Sequence, residues 1–488
     1  MSQQEILQNL GIEALNAMQE ETVAAYRRHH QLVLLSPTGS GKTLAYLLPL
    51  AEEFQHAVED SGQFGSPATS APSPWPLALV LVPSRELASQ TVEVIKAMKC
   101  GLRAVACYGG RPAMDEHRVL REVQPHIIVA TPGRAADHLR KQNFSGELIR
   151  TLIIDEFDKS LELGFQDEMG EVIGMLPCLE RRFLLSATDS DQIPSFVGAD
   201  FRKLDFIDHD AAATASEGKL SLHLVRSPEK DKLHTLRDLL CHLGSEPSMV
   251  FVNYRESVER VATYLQKEGF AVSAFHGGME QRDRERALYR FAGGSALTLI
   301  STDLAARGLD IDNVRHIIHY HLPLNEDAFT HRNGRTARWD REGDAWVIVW
   351  SRSSSQPLLQ REGEGHLETD GEELPSYISE AVSQAASQAA SQIHFTPLPP
   401  SEGQRGAIPL PIYTSLYIGK GRKDKINKVD IVGFLSKVGG LQRQELGRVD
   451  VGDHWAYAAV ARQRADEVLH RVRGQKIKGV KTLIEKAR

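Results

Sequence analysis

The first 210 residues carry short, nearly uninterrupted apolar runs that end abruptly in small or polar residues. QLVLLS at 31–36 opens into PTGSGKT, LALVLV at 77–82 into PSREL, HIIVA at 126–130 into TPGR, TLIID at 151–155 into EFD, and FLL at 183–185 into SAT. Runs of this length without polar alternation read as strands covered on both faces, the mark of a parallel sheet. In a doubly wound sheet the ligand site lies outside the strands' carboxyl ends, where each of these polar clusters falls. From about Lys219 a second series follows, SMVFVN, VSAFH, LTLIS, VRHIIHY and AWVIVWS, separated by helix-like segments such as ESVERVATYLQKEG at 256–269. The pattern predicts two tandem α/β lobes, over 1–210 and 218–352.

The periodicity breaks over 353–410 into SRSSSQP-like, acidic, SQAASQAASQ and proline-rich stretches, which read as a linker with a helix from about Pro375 to Ser391. Residues 411–488 then alternate strand-like SLYIG, helix-like DIVGFLSKVG, strand-like HWAYAAVA, helix-like ADEVLHRVRG and strand-like VKTLIE. That order is compatible with βαββαβ, as in the small α+β sheet of an RNA recognition motif (RRM).

Charge sharpens the division. The net charge of −7 hides a basic tail: from Pro411 onward 17 Lys and Arg stand against 8 Asp and Glu, an excess of nine, so the preceding part carries −16. The basic stretches Lys420 to Lys428 and Arg471 to Lys481 favour RNA as a ligand, with a solvated charged face as the alternative. The four cysteines form no CxxC pair and offer neither a zinc site nor a disulfide framework, which suits a reducing cytoplasm. No apolar run approaches membrane-spanning length and the polar N-terminal stretch shows no targeting signal, so the expectation is a cytoplasmic protein without a membrane partner.

Three clusters carry chemistry. Ser36, Pro37, Thr38, Gly39, Ser40, Gly41, Lys42 and Thr43 form a phosphate loop between strand and helix. Its glycines let backbone N–H groups close on phosphate oxygens, Lys42 offsets β/γ charge, and Thr43 can hold Mg²⁺. Asp155 and Glu156 follow an apolar strand, where Asp155 can hold the Mg²⁺ shell while Glu156 orients or deprotonates the attacking water. In the second lobe HRNGRTAR at 331–338 sets Arg335 and Arg338 at a spacing suited to one helical face, as transition-state charge compensation for the nucleotide. By contrast, His316, His319 and His321 crowd one strand without a nearby Cys or carboxylate in sequence, and read as packing rather than a metal site.

These motifs, with PSRELA at 83–88, Gly109-Gly110, TPGR at 131–134, DEFD at 155–158, SAT at 186–188, HGGMEQ at 276–281 and STDLAARGLD at 301–310, stand in the order of the DEAD-box helicase family, which the chain resembles from Met1 to about Ser351. The resemblance implies two RecA-like lobes and an ATP-driven RNA helicase that uses ATP and Mg²⁺. Lys42, Thr43, Asp155 and Glu156 would serve nucleotide and metal, and Asp310 the ribose. Asp158, Ser186, Thr188 and His331 would couple hydrolysis to RNA. Arg335 and Arg338 would be arginine fingers. Arg85, Gly110, Thr131 and Arg134 in the first lobe, with Gln281, Arg284 and Thr302 in the second, would line an RNA groove, and such residues suit backbone contacts that carry no base information. Residues alone leave open a DNA helicase of the wider superfamily, or an ATP-gated RNA clamp.

The sequence departs from the family in three places. Phe157 replaces the alanine that names the family. Gln19 matches the adenine-recognising glutamine, but the preceding Pro-Thr and the adenine-stacking aromatic are missing. Asn333 and Trp339 are unusual around the fingers. The C-terminal segment resembles the RNA-binding domain of DbpA-type bacterial helicases, which implies large-subunit ribosomal RNA and pre-ribosomal particles as partners. Within it Tyr417, Trp455 and Tyr457 sit on strands where an RRM would stack bases, although core packing is an equal reading residue by residue.

Overall fold

The computed structural model describes residues 2–37, 40–60, 76–110, 113–188, 193–198, 200–206, 220–303, 314–336, 342–352, 359–360, 367–368, 371–388, 396 and 407–487. The chain divides into two compact units, one built on Met1–Ala215 and the other on most of the remainder. Among the described residues no helix is long and apolar enough to cross a membrane.

The first unit is a seven-stranded parallel sheet of β1 (Gln31–Leu35), β2 (Ala78–Leu81), β3 (Ala104–Cys107), β4 (Ile127–Ala130), β5 (Thr151–Ile154), β6 (Arg181–Ser186) and β7 (Arg202–Asp205), in the order β3-β4-β2-β5-β6-β1-β7. Alternate residues of each strand point to opposite faces, and here both faces are dry. Leu32, Leu34 and Val80 enter one apolar cluster, while Val33, Leu35, Leu79 and Leu81 enter the other. That two-sided burial is why the strands read as continuous apolar runs.

The second unit begins with a parallel sheet of β8 (Leu220–Ser227), β9 (Ser248–Phe251), β10 (Val272–Phe275), β11 (Thr298–Ser301), β12 (His316–His319) and β13 (Gly343–Trp350), ordered β10-β11-β9-β12-β13-β8. A two-residue ladder, β14 (Leu359–Gln360) with β15 (Leu367–Glu368), follows. The C-terminal sheet comprises β16 (Tyr413–Ile418), β17 (Leu446–Val451), β18 (Ala456–Ala461) and, after the short hairpin β19 (Lys476–Ile477) and β20 (Val480–Lys481), β21 (Ile484–Lys486). Its antiparallel order is β17-β18-β16-β21, with helices Lys428–Lys437 and Ala465–Val472 in the βαββαβ positions.

The segment read as linker is in part core of the second lobe. Helix Ser376–Gln388 occupies the expected place, but Leu374, Ile378 and Val382 are buried in one cluster with Leu224, Phe329, Val347 and Val349. Tyr377 hydroxyl donates to the Pro323 carbonyl at 2.7 Å, and Glu372 pairs with the buried Lys232 at 2.5 Å. Lys232 also donates to the carbonyls of Tyr320 and Ile348, at 3.3 and 2.7 Å, which satisfies an ammonium that would otherwise be costly to bury. Removing the fully buried Ile378 side chain by Ile378→Ala should destabilise the second lobe by about 2–5 kcal/mol. Urea denaturation of the variant checks this; an unchanged midpoint would make the helix a mere tether.

Candidate active site

Lys42 opens the helix Lys42–Asp60 behind β1. It is buried, and its ammonium donates to the carbonyls of Ser36 and, at 3.0 Å, Pro37, while Ser36 Oγ lies 2.8 Å from Ser40 Oγ. The loop's own carbonyls therefore hold the charge that a phosphate would attract. Asn16 caps the helix Ala17–Tyr26 in a reciprocal box with Gln19. From that position Gln19 Nε2 reaches the Gly41 carbonyl at 3.1 Å, and Asn16 Nδ2 reaches that of Ser40 at 3.0 Å. Gly41 has φ +88°, and a Cβ there would come within 2.4 Å of Gln19 Nε2, so both conformation and space demand glycine. Thr38 and Gly39 lie outside the described residues.

Asp155 leaves β5 fully buried, and burial pushes its carboxyl above the usual carboxylate range against the pull of Lys42, the Glu156 amide and Tyr46. Its Oδ1 accepts the Glu156 amide at 2.9 Å and its Oδ2 the Tyr46 hydroxyl at 3.3 Å. Tyr46, itself wholly buried, was missed in the sequence because a tyrosine one turn along an apolar helix looks like core. Glu156 sits at φ +49°, ψ +52°, a left-handed backbone that costs a side-chain-bearing residue roughly 1–2 kcal/mol. Non-glycine strain of this kind clusters at functional positions. Phe157 is buried in the apolar cluster with Ile154, Met169 and Leu184, so the ring in place of alanine is absorbed by packing.

The acidic turn is tied to the end of β6. Thr188 Oγ1 donates to Asp158 Oδ2 at 3.0 Å, and Ser186 Oγ both donates to the Thr188 carbonyl, at 2.5 Å, and accepts its amide, at 3.2 Å. Lys159, also missed, is buried between Asp158, at 3.7 Å, and Glu162, at 2.5 Å.

Farther along the same carboxyl edge stand the residues read as groove. Arg85 opens helix Arg85–Met98, capped by Ser84, and its guanidinium lies against the glycine turn. A Cβ on Gly109 would meet it at 3.4 Å, and one on Gly110, where φ is +91°, at 2.4 Å. Thr131 is the N-cap residue of helix Pro132–Arg140 but its hydroxyl makes no capping bond, and Arg134 Nε is 3.4 Å from the buried Glu116. Arg85, Gly110, Thr131 and Arg134 thus come from the turns and helix starts that follow three neighbouring strands, β2, β3 and β4.

In the second lobe, Gln281 opens helix Gln281–Ala292 and donates to Glu285 at 3.2 Å. Arg284 is buried with its guanidinium 5.1 Å from the centre of the Phe275 ring. Thr302 follows β11, its carbonyl accepting Ser301 Oγ at 2.8 Å. Among the described residues of the 331–338 run the helix ends at Asn333, and Arg335 lies buried in the turn after it. His331 is buried on the helix itself. Arg332 is the anchor of this segment. It is wholly buried, forked onto Asp303 at 2.5 and 3.2 Å, and donates to Asn253 Oδ1 at 2.8 Å and the His321 carbonyl at 3.0 Å. Asn333 Oδ1 lies 2.9 Å from His319 Nε2, which accounts for the unusual residue there. Burial, with Arg332 nearby, pulls His319 down to about 3, so it stays neutral. His316 meets Asp344 at 3.3 Å and His321 accepts the Asn253 amide at 3.2 Å, so each histidine of this group has a packing partner. Asp310, Arg338 and Trp339 lie outside the described residues.

In the C-terminal sheet Tyr417 and Tyr457 are direct cross-strand partners, and Trp455 lies 5.1 Å from the Tyr457 ring. The three rings gather as one group, yet Tyr457 is buried: it stacks on Tyr289 of helix Gln281–Ala292 at 4.7 Å, and Arg282 lies 5.2 Å from the Tyr417 ring. Tyr289 hydroxyl donates to the Arg448 carbonyl at 2.5 Å, and Ser295 Oγ lies 2.5 Å from Ser415 Oγ. In this arrangement the sheet face meets the second lobe.

The sequence matches the DEAD/DEAH box helicase family over residues 16–195, the helicase conserved C-terminal domain over 231–340 and the DbpA RNA binding domain over 415–486. It is 28% identical over 483 residues to the ATP-dependent RNA helicase DbpA of Bacillus subtilis (strain 168), covering 99% of this chain and 96% of that protein. Against eukaryotic initiation factor 4A of Drosophila melanogaster the identity is 30% over 374 residues, 76% of this chain and 88% of that one. The fold is shared with S. cerevisiae Dbp5 bound to RNA and ADP BeF3, at a TM-score of 0.61 and 22% identity over 81% of this chain and 93% of that one. Similar along nearly its whole length to one such helicase, and at 30% identity across both lobes to another protein of the group, the chain belongs to the DEAD/DEAH box helicase family.

Proposed function

We propose that the protein hydrolyses ATP on its first lobe, grips RNA along both lobes, and separates short duplexes locally, with structured large-subunit ribosomal RNA in pre-ribosomal particles as its target in the cytoplasm. The observation that carries the hydrolytic part is Asp155: a carboxylate buried at a strand end, raised by burial, beside Lys42 and followed by a left-handed Glu156. Such a group calls for a cation. Asp155, with the Thr43 hydroxyl on the first turn of its helix, offers hard oxygen donors of the kind Mg²⁺ takes, so the residues present fit that ion. When bound, Mg²⁺ would supply charge neutralisation on the phosphates. Glu156 orients or deprotonates the attacking water, Lys42 exchanges its loop carbonyls for phosphate oxygens, and Asp310 holds the ribose. Arg335 and Arg338 act as fingers on transition-state charge. The Thr188–Asp158 bond is the candidate relay between hydrolysis and RNA, with Ser186 and His331.

The RNA part is supported by the groove residues gathered at one edge, and by the names of the relatives, which are RNA helicases. The tail is the reader of target RNA, since its basic excess lies outside both lobes. Base stacking on Tyr457 requires release from Tyr289, whereas Trp455 is half-buried, and the basic side chains of Lys420 and Lys423 pair with Asp424 and Asp453 in the same domain.

Glu156→Gln should keep ATP and RNA binding but lower RNA-stimulated turnover on the order of 10² or more, the usual worth of a general base; turnover within about twofold of wild type in a phosphate-release assay sinks the assignment. Lys42→Ala should instead weaken nucleotide binding, read by fluorescent-nucleotide titration. Arg335→Ala should lower ATP turnover by up to about 10³ with RNA affinity little changed. Collapse of RNA affinity at normal saturated turnover would make Arg335 a groove contact. A chain ending at 410 should still hydrolyse ATP, need far more RNA for full stimulation and lose its preference for a large-subunit ribosomal fragment over an unrelated hairpin. Equal preference in both forms would move target choice into the lobes, and equal stimulation by DNA of matched sequence would sink RNA as the ligand.

A further inference from the structure

Glu116 belongs to none of the motifs read from the sequence, yet the groove side of the first lobe converges on it. It lies on helix Ala113–Val123, is 5% exposed, and both carboxylate oxygens are engaged. Oε1 accepts the amide of Tyr108, the residue before Gly109-Gly110, at 3.0 Å. Oε2 lies 2.9 Å from His138 Nε2 and 3.4 Å from Arg134 Nε. One buried carboxylate therefore ties the turn after β3 to the helix after β4. A second tie, from the Thr131 amide to the Cys107 carbonyl at 3.1 Å, joins the same two loops.

Cys107, Glu116 and His138 bring their donor atoms within 4.8 Å of one another, a spacing a metal ion could use. The chemistry argues otherwise. Burial, with Glu116 adding to it, pushes the Cys107 thiol far above its ordinary value, whereas a metal needs the thiolate. The carboxylate already faces a guanidinium and an amide, and the Arg134 charge repels a cation. The cluster is an internal ion-pair network.

We infer that Glu116 is a positioning residue for RNA binding: its carboxylate fixes the guanidinium of Arg134 and the Gly109-Gly110 turn in the attitude that meets the RNA backbone. The inference rests on the groove reading proposed above. Arg134 is 13% exposed, and its other acidic neighbour, Asp137, is 3.8 Å away. An arginine oriented before the ligand arrives loses less side-chain freedom on binding, which raises affinity without adding a contact.

The test uses the full-length protein and RNA-stimulated ATPase. Glu116→Gln keeps size and the acceptor for the Tyr108 amide but removes the charge that holds Arg134. It should raise the RNA concentration for half-maximal stimulation roughly tenfold, the range of a lost charged hydrogen bond, while RNA-saturated turnover stays within about twofold. The double variant with Arg134→Ala should be no worse than Arg134→Ala alone, because the two residues act through one contact. Should Glu116→Gln lose cooperative melting, Arg134→Lys serves: it keeps the charge without the fork that Glu116 orients, and should shift half-saturation most of the way to Arg134→Ala. A normal half-saturation in Glu116→Gln, additive losses in the double variant, or wild-type behaviour of Arg134→Lys, each with Arg134→Ala impaired, overturns the inference. An unimpaired Arg134→Ala overturns the groove reading instead.

Discussion

A parallel strand covered on both faces has nowhere to put a polar side chain until it ends. In the first lobe β2, β4 and β5 are wholly buried, and polar chemistry gathers in the loops and first helical turns beyond the ends of these strands and their neighbours. Six consecutive strands by chain order deliver the phosphate loop, Arg85, the glycine turn, Thr131, the acidic pair and Ser186 to one edge. Sheet order then sorts them. β1, β5 and β6 are neighbours in the centre and carry the residues proposed for the nucleotide, while β2, β4 and β3 continue outward and carry those proposed for the groove.

Several charges near these strand ends are buried among partners. Lys42 is held by loop carbonyls, Asp155 by an amide and a tyrosine, Lys159 by two carboxylates, Glu116 by Arg134 and an amide, and in the second lobe Arg332 by Asp303 and two further acceptors. Removing one partner of such a pair leaves a desolvated charge and costs several kcal/mol, far more than an exposed pair is worth. The same arrangement holds side chains in one attitude, which a phosphoryl-transfer site requires because positioning supplies much of its catalysis.

The central strands and the strand-end motifs were legible in the sequence because two-sided burial writes them as apolar runs followed by polar breaks. Apart from the two-residue ladders, the strands left unnamed there, β3, β7, β8 and β17, all lie at sheet edges, where one flank is open and the pattern dissolves: β7 buries one residue of four and β17 one of six. Helix Ser376–Gln388 was visible as a helix but not as core, since its serine- and alanine-rich repeat resembles a spacer while Ile378 and Val382 do the packing. Tyr46, Lys159, Glu116 and Arg332 escaped for another reason. Each acts through a partner distant along the chain or through local burial, and a sequence records neither. Asn333 is the reverse case, an odd residue in a familiar motif that became intelligible once His319 was found beside it.

The contact between Gln19 and Gly41 joins two positions that a sequence keeps 22 residues apart. Glycine at 41 answers both the backbone and the reach of the amide across from it, since any Cβ would strike Gln19 Nε2. The two positions are therefore physically coupled. A side chain gained at 41 would push the Gln19 amide aside, cost the bond to the Gly41 carbonyl and strain the left-handed backbone, so the end of the loop and the start of helix Ala17–Tyr26 would loosen together.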